Sequence, residues 1–112
     1  MDKENQDRII IAFLEKAAKR VEKETGIKRW ECLVDDEDPI GIGDEDTDVY
    51  VIGNKSFDPS MIVEVNVEPE KSLVVCIYNH NLAFFKNMLE SIIEELPKVA
   101  KELKINHFEI NF

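Results

Sequence analysis

The stretch from Leu73 to Leu103 limits the possible folds more than any other part of this chain. It opens with an unbroken apolar run, Leu73-Val74-Val75-Cys76-Ile77-Tyr78, too short for a membrane-spanning helix and rich enough in branched and aromatic residues to read as a buried strand. A turn follows at Asn79-His80-Asn81, where an Asx side chain can accept a hydrogen bond from the first free amides of a helix. Beyond it Leu82, Phe85, Leu89, Ile92, Leu96, Val99 and Leu103 recur in alternating steps of three and four, which makes one side of a helix apolar. Pro97 lies inside that pattern. Its ring removes one backbone hydrogen bond and crowds the preceding turn, so a kink or a break into two short helices is expected there. A strand and helix of this kind need more apolar surface to pack on.

The remaining segments supply it. Asp2 to Thr25 reads as a helix with Ile10, Phe13, Leu14, Ala17 and Val21 inward, and Gly26 is placed to close it in the left-handed conformation. Arg29 to Val34 and Thr47 to Ile52 read as strands, the first with Trp30, Cys32 and Val34 on its dry side. Met61 to Val67 alternates cleanly, with Met61, Val63, Val65 and Val67 dry and Glu64, Asn66 and Glu68 wet. Pro69-Glu70-Lys71 is a short connection that favours antiparallel pairing with the next strand. Ile105 to Phe112 closes the chain as a strand with Phe108, Ile110 and Phe112 inward. The order α-β-β-β-β-α-β describes one α+β domain over residues 1–112, with a mostly antiparallel sheet of about five strands, paired in sequence order and covered by two helices. The expected inward set is Phe13, Val65, Val75, Ile77, Phe85, Leu89, Ile92 and Phe108. Two strands are apolar on both faces, so either the helices flank opposite sides of the sheet or a second subunit or partner covers what they leave.

Charge is where this sequence departs from an ordinary domain. The chain of 112 residues carries 24 acids against 14 bases, a net charge of −10. Nine of those acids (Glu31, Asp35, Asp36, Glu37, Asp38, Asp44, Glu45, Asp46 and Asp48) fall between Trp30 and Asn54, where there is no Lys or Arg. The field of such a segment repels phosphate backbones and anionic lipid and attracts a basic partner or a cation. The segment from Asp35 to Asp46 also loses apolar periodicity and contains Pro39, Gly41 and Gly43, which reads as a loop long enough to be functional or disordered.

Catalytic and metal motifs fare poorly. Asp44, Asp46 and Asp48 have the opening spacing of a calcium loop, but Val49 stands where its glycine belongs and Lys55 where its bidentate glutamate belongs. Gly41 and Gly43 begin a dinucleotide fingerprint whose third glycine position is Asp46. Neither Glu64 nor Glu68 is followed by the lysine of a metal-dependent nuclease core. His80, His107, Cys32 and Cys76 belong to no motif and are read as structural, the cysteines as reduced and buried in strands. No leader and no apolar run near ~20 residues is found, so a cytoplasmic address without a membrane span is expected.

The reading is a non-catalytic interaction module of the inhibitor, immunity, nucleic-acid-mimic or chaperone and adaptor kind. It needs no cofactor or metal, binds neither nucleic acid nor membrane directly, and engages a basic protein through Asp35, Asp36, Glu37, Asp38, Asp44, Glu45, Asp46 and Asp48, with Tyr50 at the segment's edge. A homodimer is a further expectation, from the two-sided apolar strands. The alternative class is a small enzyme or ligand-binding domain whose polar site converges from distant segments.

Overall fold

The computed structural model describes residues 2–35, 47–57, 60–78 and 83–111. In chain order the elements are α1 (Lys3–Thr25), β1 (Trp30–Asp35), β2 (Asp48–Asn54), β3 (Met61–Glu68), β4 (Ser72–Ile77), α2 (Phe85–Glu102) and β5 (His107–Asn111). The five strands form one sheet in the order β1-β2-β3-β4-β5. The first three pairings are antiparallel, and β5 runs parallel to β4, as a strand returning through a helical crossover must when it lies beside the strand it left.

α1 forms where its sequence predicts. The Asp2 side chain accepts from the Asn5 amide at 2.8 Å, and Gly26 closes the helix at φ 77°, its amide donating to the Glu22 carbonyl. Both helices pack on one face of the sheet. Their buried residues join Tyr50, Ile52, Val63, Val65, Val67, Leu73, Val75 and Ile77 in a single core. The two helices are also laced together by ion pairs, Lys16 to Glu95 at 2.6 Å and Arg20 to Glu90 and Glu94 at 3.0 Å. Of the two arrangements open from the sequence, helices on opposite faces is therefore not the one adopted. Among the described residues the other sheet face has no helix; there Val49, Ile62 and Glu64 are buried, Val51, Val74 and Cys76 are partly exposed, and Leu33 is 55% exposed.

Several expectations are corrected. α2 does not break at Pro97 but continues to Glu102; the proline itself is exposed, while its neighbours Leu96, Val99 and Ala100 are held in the core. α2 starts at Phe85 with no side-chain cap, and the expected cap at Asn79 to Asn81 lies outside the described residues. The buried arc of α2 is turned toward α1, so Met88 and Ser91 take inner places while Phe85 and Leu89 are half-buried on the flank. Phe108 was expected inward and is 40% exposed, since β5 is the edge strand; Phe112 is not described. Val34 is also 40% exposed. Glu64, expected wet, is only 2% exposed and accepts from the Tyr78 hydroxyl at 2.7 Å, which satisfies a carboxylate that would otherwise be costly to bury. β2 runs past the expected end at Ile52 through Gly53 and Asn54, and its register against β3 shifts there. Gly53 is required at that bulge because a Cβ would lie 2.6 Å from the Ser60 carbonyl oxygen.

Candidate functional site

Sheet topology fixes the two ends of the acidic segment. Asp35 is the last residue of β1 and pairs with Val49, one residue after Asp48 opens β2, so residues 36–47 connect two neighbouring antiparallel strands. Asp36, Glu37, Asp38, Asp44, Glu45 and Asp46 lie outside the described residues.

Asp48 and Tyr50 are described, and they form part of a polar knot between β2 and the first turns of α1. The Gln6 side-chain amide donates to Asp48 Oδ2 at 2.8 Å and to the Tyr50 hydroxyl at 3.0 Å. The Tyr50 hydroxyl in turn donates to Asp7, and Lys3 stands 3.6 Å from Asp48. Burial, reinforced by the bond to Asp7, pushes the Tyr50 phenol well above its ordinary value, so it stays a neutral donor. This corrects one expectation. Tyr50 is 0% exposed and cannot be a contact residue at the segment's edge; it ties α1 to β2. Gln6 and Asp7 were missed in the sequence. Stepping the α1 stripe back four residues from Ile10 reaches Gln6, but a polar residue there gives no sign that its partner is a strand some forty residues on.

Beside this knot, on the uncovered sheet face, Leu33 is 55% exposed and pairs in register with the half-buried Val51. With Glu31, Gly53, Lys55 and Met61 these residues border an open hollow of about 260 Å³. Glu31 is engaged by Lys55 at 3.6 Å. The acidic end of the sheet thus sets Glu31 of β1 beside apolar surface on one face, while Asp48 at the start of β2 turns to α1 on the other.

The thiols are poorly suited to nucleophilic chemistry. Burial, with Glu15 adding to it, pushes Cys32 up to about 11, and burial followed by the Glu64 charge raises Cys76 as well; a thiolate is scarce in both places at neutral pH. Both cysteines are free. They lie on strands separated by β2's pairing with β3 and β3's with β4, about three strand spacings or ~14 Å, too far for a disulfide. His107 is exposed on β5, and His80 lies outside the described residues. Among the described residues no group of three or more His, Cys, Asp or Glu side chains is placed to hold a metal ion, and no helix is long and apolar enough to cross a membrane.

No family model matches the chain, and neither a curated protein nor a solved structure is similar to it.

Proposed function

We propose that the protein is a non-catalytic interaction module that binds a basic protein partner through the acidic segment between β1 and β2, in the manner of an inhibitor, immunity protein, nucleic-acid mimic or adaptor. The observation that carries this reading is the partition of charge: nine acids and no Lys or Arg between Trp30 and Asn54, in a chain otherwise nearly balanced. Carboxylates gathered in one connection repel each other. A merely structural link between two adjacent strands gains nothing from that repulsion, and a short neutral turn would fold better. The half-exposed apolar surface of Leu33 and Val51 next to the segment suits a partner whose basic residues surround an apolar patch. The contact set is Asp35, Asp36, Glu37, Asp38, Asp44, Glu45, Asp46 and Asp48, with Tyr50 supporting from within.

The test takes the partner recovered by pull-down and replaces Asp36, Asp38, Asp44 and Asp46 with asparagine. Binding to the parent chain is expected to weaken steeply once salt passes physiological strength, where the screening length falls below about 8 Å, and the variant is expected to bind weakly with a shallow salt dependence. A folded variant with unchanged binding and unchanged salt dependence would reduce the segment to a solvated loop.

A further inference from the structure

The opposite edge of the sheet differs in every respect that matters for association. β5 ends the sheet, and among the described residues its outer edge pairs with nothing. Such edges are usually blunted by Lys, Pro or clustered charge. Between His107 and Asn111 there is no Lys and no Pro, and the one acid is Glu109. Next to this edge Phe108 is 40% exposed and Ile93 of α2 is 53% exposed; together with Leu96, Pro97, Glu109 and Ile110 they line a hollow of about 290 Å³. A knob and a hollow are therefore present on the same surface. That is the property a two-fold interface requires, since each copy must offer both halves of the contact.

Charge allows a second copy here and not at the acidic end. From Phe85 to Phe112 there are five acids and four lysines, close to balance. β1 lies four strand spacings, ~19 Å, from β5, so pairing through β5 would keep the two acidic ends at the far edges of a continuous sheet. Register selects among the possible pairings. A two-fold axis through Glu109 would set two carboxylates against each other, which is unfavourable directly across a strand pair. An axis through Phe108 instead sets the two Phe108 rings together. It also places His107, whose imidazole can donate to a carboxylate, opposite Glu109 of the second copy, twice over.

We propose that the free edge of β5 and the adjoining hollow on α2 are a docking surface for a second copy of this chain, joined by antiparallel β5 to β5 pairing centred on Phe108. The inference is independent of the acidic segment. It is tested by sedimentation of the full chain over a range of concentrations, using exposed positions whose substitution spares the core. The parent chain should show a monomer–dimer equilibrium. His107→Glu, which sets two pairs of carboxylates face to face, and Glu109→Lys, which removes the acceptor of each His107 imidazole, should each weaken dimerisation by about two- to thirtyfold. The double variant H107E/E109K restores opposite charges across the axis and should return the affinity to near the parent's. A parent that is monomeric throughout overturns the proposal, as does a dimer indifferent to both single changes, a double variant no better than the singles, or a dimer broken instead by Leu33→Asp at the other edge.

Discussion

The two faces of the sheet are built from the same five strands by alternation, yet they follow different rules. On the helix-covered face Val63, Val65, Val67, Leu73 and Val75 are 0% exposed, packed against two helices. On the other face burial is uneven: Val49, Ile62 and Glu64 are 0–2% exposed, whereas Val51, Val74 and Cys76 stay partly exposed and Leu33 is 55% exposed. Among the described residues no helix lies on this second face, and its exposed apolar surface centres on Leu33. The helix-covered face holds the folding core, and under the proposed function the exposed part of the other face, with its acidic end, is where a partner docks.

The largest expected effect separates the two directly. Leu73→Ala, on the covered face of β4, is expected to lower unfolding stability by about 2–5 kcal/mol, whereas Leu33→Ser should stay within about 0.5 kcal/mol of the parent, both read by denaturant titration. Comparable losses at the two positions would remove the distinction. Next comes the polar knot. Tyr50→Phe deletes the hydroxyl that joins Gln6 and Asp7 and leaves buried polar groups short of a partner, for an expected loss of about 1–3 kcal/mol, measured in the same way.

Smaller effects follow from titration. Cys32 on the covered side has its thiol raised from 9.0 to about 11. A raised value means that the folded state holds the proton more tightly, so the associated stability is complete below pH 9 and is lost as the pH rises through about 11. Stability should accordingly decline across that window, and Cys32→Ala should flatten part of the decline. The sign reverses for Glu95, whose carboxyl is held below its ordinary 4.5 chiefly by its hydrogen bond from Lys16. Its contribution is present above that value and disappears as acid carries the pH below it. Lys16→Met should therefore reduce acid sensitivity slightly while loosening the link between α1 and α2.

The contrast between faces also explains what the sequence made legible. Element order, sheet order and the dry side of β3 could be read because alternation and helical periodicity are local patterns that burial enforces, as at Met61 to Val67 and at Ile10 to Val21. The phase of α2 was harder. Its apolar stripe was correctly seen, but Ser91 is buried and Phe85 and Leu89 are only partly so, because the position of α1 beside α2 is a tertiary fact. Phe108 has the composition of a core residue and the location of an edge residue, and composition alone carries no information about which strand ends the sheet. At the candidate site the acidic residues were visible as a charge pattern, while Tyr50's inward role depended on Gln6 and Asp7 in α1, a pairing across more than forty residues.

Under the proposed function the carboxylates of the acidic segment govern encounter with the partner and the exposed apolar surface around Leu33 governs residence. The measurement that tests it most directly is the association and dissociation rates of the basic partner, taken as functions of salt for the parent, the D36N/D38N/D44N/D46N variant and Leu33→Ser. Neutralising the four aspartates is expected to slow association roughly tenfold or more at low salt, to flatten its salt dependence and to leave dissociation nearly unchanged. Leu33→Ser should speed dissociation and leave association alone. Association rates that ignore both the four aspartates and the salt concentration, in variants that remain folded, would contradict it.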